Sequence, residues 1–251
     1  MKVFIYTFGK VEEATLRNSI SKYLDSDGQE STKINIYPPF SSVEPNVIQT
    51  HDHYVVRQYL QTGAKCKIIS VYRELIAHTI SAFFQNICNT NNWRCNYLFY
   101  VGNENYVKSL PMDKIIEIFL HRVIEYHPQH WFNILNRVLD INIFHLGFNK
   151  NEGYQIYSGK NFELLIFRYD KLNQVTDVIK NFLDLSSFEL HNSNLSTDKW
   201  YADLYSEFSD VFRPPDWMIT RYLNSNVSHY FMQTREIQEL INYYRRSKNI
   251  K

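Results

Sequence analysis

The chain has 251 residues, 44% of them hydrophobic and 21% charged, enough to bury a core as one large domain or two small ones. Its formal net charge of +1 leaves no electrostatic footprint for non-specific binding to nucleic acid or to an anionic membrane, so any anion site must be local. The three cysteines, Cys66, Cys88 and Cys95, are odd in number and lack zinc spacing, which favours reduced thiols in a reducing compartment.

The opening MKVFIYTFGK has neither a long apolar core nor a small-residue cleavage site, so it does not read as a signal peptide. No run approaches the roughly 18 apolar residues of a membrane span. A cytoplasmic protein without a transmembrane segment is expected. VFIYTF (3–8) alternates and is rich in β-formers, a short buried strand. Gly9-Lys10 breaks it, and 11–24 has helical spacing through Val11, Leu16, Ile20 and Leu24. SDGQEST (26–32) is a turn-rich link, KINIYP a second strand and NVIQTH (46–51) a third. YVVRQYL reads as helical.

KIISVYRELIAHTISAFF (67–84) then gives a strand followed by a helix. The stretch from about 110 to 141 is largely helical, interrupted at Pro128. INIFHLGF (141–148), YQIYS (154–158) and ELLIFRY (163–169) are strand-like, and the last third, from Lys171, is mostly helical and aromatic. Strands alternating with helices predict an α/β fold: a parallel sheet flanked by helices, with a mostly helical C-terminal third.

In such sheets ligands sit at the carboxyl ends of the strands, and three ends carry polar groups. Arg73 ends one strand, where its planar fork can grip a phosphate through two hydrogen bonds, and Ser81 could add a hydroxyl from the following helix. Gly9-Lys10 runs from a strand into a helix, an arrangement that makes the helix N-terminus an anion site. His51 ends another strand and is a candidate general base toward a substrate hydroxyl. Each has a plainer reading. Arg73 can pair with Glu74 or cap a carbonyl, Ser81 can simply lie on a helix, Gly-Lys is usually a turn, and a strand-end histidine is usually polar lining. Together the three ends suit holding a phosphorylated nucleotide and deprotonating an acceptor.

TFGK at the first strand end, VIQTH at a later one, and VYR with a serine eight residues on resemble the nucleotide-binding frame of P-loop-type sulfotransferases. The chain is more closely similar to the bacterial family of capsular polysaccharide synthesis proteins named for an Asn-Lys-Trp-Tyr-Ser motif. That motif would be Asp198-Lys199-Trp200-Tyr201-Ala202 here. HPQHWFN (127–133), INIFHLGFNKNEGYQIY, LLIFRYDKL and SHYFMQTREI also resemble that family's blocks. The resemblance covers most of the chain, as one sulfotransferase-like domain over 1–251.

The resemblance implies transfer of a sulfuryl group from 3′-phosphoadenosine-5′-phosphosulfate, the nucleotide donor, to a sugar hydroxyl of a glycan or polysaccharide, with no metal. It implies that Gly9, Lys10 and Thr15 hold the 5′-phosphosulfate, that Arg73 and Ser81 hold the 3′-phosphate, and that His51 takes the acceptor proton, with Lys10 at the reacting group. No chemistry assigns a role to HPQHWFN or DKWYA. Trp131, Trp200 and Tyr201 could stack on a sugar, but core packing is the commoner use of such aromatics.

The donor loop departs from the family pattern. Where a glycine and small hydroxyl residues are expected, the chain has Glu12-Glu13-Ala14 before Thr15. Glycine lets the backbone approach a phosphate closely, and carboxylates do not donate to it. Acidic residues are also ordinary in a helix's first turn, stabilised there by about 0.3–1 kcal/mol each. The alternative is therefore a non-catalytic member that binds a nucleotide or acts as an assembly partner. A P-loop kinase fits less well, because Gly-x-x-x-x-Gly-Lys-Ser/Thr is missing.

Overall fold

The computed structural model describes residues 2–9, 13–24, 47–50, 53–88, 96–191 and 199–246. In chain order the elements are β1 (Lys2–Tyr6), α1 (Glu13–Leu24), β2 (Val47–Thr50), α2 (His53–Gln61), β3 (Cys66–Tyr72), α3 (Leu75–Asn86), α4 (Asn96–Phe99), α5 (Glu104–Ser109), α6 (Met112–Val123) and α7 (His130–Leu139). They continue with β4 (Tyr154–Ser158), β5 (Phe162–Arg168), α8 (Thr176–Phe182), α9 (Ala202–Val211), α10 (Asp216–Tyr222), α11 (Asn226–Phe231) and α12 (Thr234–Arg245). The chain divides into two compact units, Met1–Arg73 with His130–Asn194, and Glu74–Gln129 with Leu195–Lys251.

The first unit is built on a five-stranded sheet in the order β2-β1-β3-β5-β4. β2, β1, β3 and β5 run parallel, with Ile5 beside Ile69 and Tyr72 beside Arg168. The strands are mostly apolar, and β3 is buried along its whole length, as strands covered on both faces are. One face places Val3, Ile5, Ile69, Val71, Leu165 and Phe167 in a core with Leu16 and Ile20 of α1 and Ile179 and Phe182 of α8. On the other face Phe4 meets Tyr59 of α2, and Tyr6 meets Trp131 of α7. Full burial of each such side chain stabilises by about 1.5–3 kcal/mol. The expected α/β sheet with helices on both faces is present in this unit.

Two expectations need correction. β4 is antiparallel to β5, so the sheet is mixed. Only Gly159, Lys160 and Asn161 separate the two strands, and so short a link can make a hairpin but not a parallel crossover. INIFHLGF is not a strand but a 3-10 turn, Ile143–His145, with loop around it. The Asn142 side chain accepts from Phe144 N and that of Asn136 accepts from Ile143 N. Side-chain amides thus take backbone donors that a ladder would need, and Gly147 at φ +78° ends the run. The predicted strand KINIYP and the link 26–32 lie outside the described residues.

The second unit is helical and is organised by aromatic rings. Phe83 of α3 lies 5.2–5.8 Å from Phe84, Phe99 and Phe119 in edge-to-face contacts. Phe208 of α9 meets Phe84 and Phe119 edge-on, both at 5.2 Å, and stacks on Phe212 at 4.8 Å. Such pairs add about 0.5–1.5 kcal/mol each beyond burial. The helices expected at about 110–141 and in the last third are present, and Pro128 falls between α6 and α7 as expected.

Candidate functional site

The strand order sets where a ligand can enter the first unit. From β1 the chain goes to β2 on one side and then returns to β3 on the other. The carboxyl ends of β1 and β3 therefore flank a topological switch point, where open α/β sheets leave a crevice. β1 ends into Thr7, Phe8 and Gly9. Gly9 is at φ +91°, a conformation glycine adopts without steric cost, and its N–H donates to Thr7 Oγ1 at 3.3 Å. Lys10, Glu12 and His51 lie outside the described residues, as does the Glu13 side chain.

Arg73 follows β3 directly. It is half-buried, and its guanidinium stacks on the Tyr169 ring at 4.8 Å. A planar guanidinium over a ring is a cation–π contact, and the same planar group can grip a phosphate through two hydrogen bonds. Gly9 and Arg73 thus end neighbouring strands at one edge of one sheet. Thr15 lies in the first turn of α1 and is 1% exposed. Ser81 is half-buried on α3, in the second unit.

Glu74, the first residue of the second unit, caps α3. Its Oε1 accepts from Ile76 N at 2.6 Å and its Oε2 from Ala77 N at 2.8 Å. The Tyr244 hydroxyl donates to the same Oε2 at 2.8 Å, and burial, with Glu74 beside it, pushes that tyrosine's pKa well up. The first amides of α3 are therefore occupied by a carboxylate.

The end of β5 was missed in the sequence. Arg168 is 3% exposed and makes a two-pronged contact with Asp170, Nε to Oδ1 at 3.0 Å and Nη2 to Oδ2 at 2.7 Å. Between them Tyr169 carries Arg73. An arginine thus follows β3 directly and ends β5, in VYRE and FRYD, and that repetition was the available signal.

The two aromatic blocks go into packing. Trp131 is buried against Tyr6 and Phe8. Trp200 lies beside Tyr201, with the Lys108 ammonium over its ring at 5.5 Å. Tyr201 packs near Phe84, and burial raises its hydroxyl pKa. In HPQHWFN, His127 receives the Arg221 guanidinium, which also donates to Ile124 O at 2.7 Å.

The family model described as "Putative capsular polysaccharide synthesis protein" matches residues 108–233, half of the chain. The chain belongs to this family. The matched segment spans α6 to α11 and includes β4 and β5, while β1 and β3, which carry Gly9 and Arg73, precede it. No curated protein and no solved structure matches the chain. Among the described residues no helix is long and apolar enough to cross a membrane.

Proposed function

We propose that the protein acts on a glycan in capsular polysaccharide synthesis, transferring a sulfuryl group to a sugar hydroxyl from 3′-phosphoadenosine-5′-phosphosulfate. The family's name ties the chain to polysaccharide synthesis. The observation that supports the nucleotide donor is Arg73, stacked on Tyr169 at the switch point of a parallel sheet and next to the Gly9 turn. A guanidinium at that strand end suits the 3′-phosphate. Gly9, Lys10 and Thr15 take the phosphosulfate end.

In the transfer, the acceptor oxygen bonds to sulfur while the bond from sulfur to the bridging phosphate oxygen breaks. The electron pair leaves with adenosine 3′,5′-bisphosphate. His51 accepts the acceptor's proton, and Lys10 offsets charge gathering on the departing oxygen.

One observation favours a second reading, a nucleotide-binding or assembly role without turnover. Thr15 is 1% exposed, and the sequence just before it carries Glu12 and Glu13, which would repel a phosphosulfate. Calorimetry separates the two. With catalysis, the donor and adenosine 3′,5′-bisphosphate both bind and sulfate appears on a glycan acceptor. Binding of the bisphosphate with no transfer supports the second reading. If neither nucleotide binds, the donor assignment fails altogether.

A further inference from the structure

The first unit has an open cleft of about 460 Å³ lined by Asn133, Asn136, Arg137, Asp140, Ile141 and Asn142, within the range of small-molecule sites. It follows α7 from the turn that begins beside the crevice. Trp131 and Phe132 pack on Tyr6 and Tyr72 at the ends of β1 and β3, and Asn133 is the next residue. From there the cleft runs seven residues along the helix, about 10 Å at 1.5 Å per residue, to Asp140 at its end.

The floor of this cleft is fixed and its rim is open. Asn136 accepts from Ile143 N at 3.2 Å and donates to Asn142 Oδ1 at 3.4 Å. Asn142 accepts from Phe144 N at 3.2 Å and meets His145 Nε2 at 3.3 Å. These contacts pin two carboxamides while each Nδ2 keeps a further N–H to offer. Ile141 N donates to Asn136 O at 3.1 Å, and Asp140 sits at φ +51°, the left-handed closure of a helix end. Among the described residues no hydrogen bond or ion pair engages the side chains of Asn133, Arg137 or Asp140.

The donor set selects the ligand chemistry. Carboxamide, guanidinium and carboxylate each present two hydrogen-bonding atoms side by side, which suits pairs of adjacent hydroxyls. Arg137 and Asp140 cancel in charge, so an anion would meet the carboxylate and a cation the guanidinium. Ile141 is the one apolar residue in the lining, too little for an apolar cofactor, which prefers apolar walls. The cleft also lies inside the segment that carries family membership.

We infer that this cleft is the glycan subsite, binding a neutral hexose unit of the polysaccharide through Asn133, Asn136, Arg137, Asp140 and Asn142. The inference rests on the glycan half of the reading above and is independent of the sulfuryl donor.

The test is an NMR titration of the ¹⁵N-labelled protein with glucose, galactose and N-acetylglucosamine, each to about 50 mM, since single-sugar sites commonly have millimolar affinity. At least one sugar should shift the side-chain amides of Asn133, Asn136 and Asn142 saturably. Asn133→Ala with Arg137→Ala should weaken that binding by about tenfold or more. Asp140→Gly should weaken it too while melting no lower than wild type, because glycine relieves the positive φ. Inorganic phosphate should leave these amides unmoved. Silence from all three sugars, or shifts with phosphate instead, would overturn the subsite. A protein that binds sugar here but not the sulfuryl donor would keep this inference and remove sulfuryl transfer.

Discussion

The two units spend their sequence differently. In the first, apolar strands pair edge to edge, and the described ends of β1, β3 and β5 carry the Gly9 turn, Arg73 and the Arg168–Asp170 fork. In the second, rings on α3, α6 and α9 interlock edge to face around Phe83 and Phe208, and its two most characteristic aromatics, Trp200 and Tyr201, join a packed surface. Sheet ends concentrate chemistry because a strand's termini are where its backbone and its last side chains face a crevice. A ring lattice has no such edge, and substitutions within it should be read in stability and not in ligand affinity.

The largest effect should therefore come from the second unit. Phe208 is fully buried and touches Phe83, Phe84, Phe119 and Phe212. Phe208→Ala should cost about 3–5 kcal/mol in urea unfolding. A loss under about 1 kcal/mol would mean that the lattice is not what organises these helices.

Alkali should loosen the molecule through both units. Burial pushes the Cys66 thiol in β3 up from its ordinary 9.0 to about 12, so the unfolded chain sheds this proton from pH 9 while the folded one keeps it. The native state then binds more protons across that window. Stability is full below pH 9 and falls by about 1.4 kcal/mol per pH unit as pH rises toward 12. Tyr222 in the second unit, pushed by burial from 10.0 to about 12, steepens the fall above pH 10. Cys88, also in the second unit, is pushed up less, to about 11. Urea midpoints measured across this range should decline more shallowly in Cys66→Ala than in wild type. An unchanged slope would show that the β3 thiol does not hold its proton as its burial implies.

At the sheet's edge the expected losses are smaller and specific to ligand. Arg73→Ala should weaken adenosine 3′,5′-bisphosphate by about 1.5–3 kcal/mol, the size of a charge-assisted contact, and leave adenosine 5′-phosphate nearly unchanged. Equal loss for both would make Arg73 a scaffold residue, like the aromatics of the other unit.

Much of the first unit was legible because buried strands leave unambiguous traces. VFIY, KIISVY and ELLIFR are short, apolar and β-branched or aromatic, and each became a strand. INIFHLGF shows the same trace and failed, because Asn136 and Asn142 supply hydrogen bonds that no periodicity count includes. The antiparallel edge was readable from the three-residue link before β5. Of the candidate residues, Gly9 and Arg73 follow strands as the strand patterns implied; that those strands are neighbours is shown only by the sheet order. Tyr169 beneath Arg73 and Glu74 on the helix amides depend on contacts between side chains distant in sequence or on a rotamer, and a single sequence encodes neither openly. In the second unit α3, α6 and a mostly helical last third were legible, whereas the short α4 and α5 were not, and neither was which rings would meet, since 17 phenylalanines and 19 tyrosines allow many pairings.

The smallest effect is also the sharpest test of the edge. Tyr169 makes no claim on a ligand in this reading; it holds the plane of the Arg73 guanidinium from 4.8 Å. A cation–π contact at a partly exposed site contributes about 0.5–1 kcal/mol. Tyr169→Ala should free the arginine to sample other rotamers and weaken adenosine 3′,5′-bisphosphate by about two- to fivefold, the same free energy converted at 1.4 kcal/mol per decade. Tyr169→Phe keeps the ring and should restore the affinity, whereas a hydrogen bond through the hydroxyl would be lost in both variants. In an Arg73→Ala background Tyr169→Ala should add nothing, because the residue it positions is gone. Additive losses in that cycle would mean that Tyr169 touches the nucleotide itself, and the stacking contact would then be incidental.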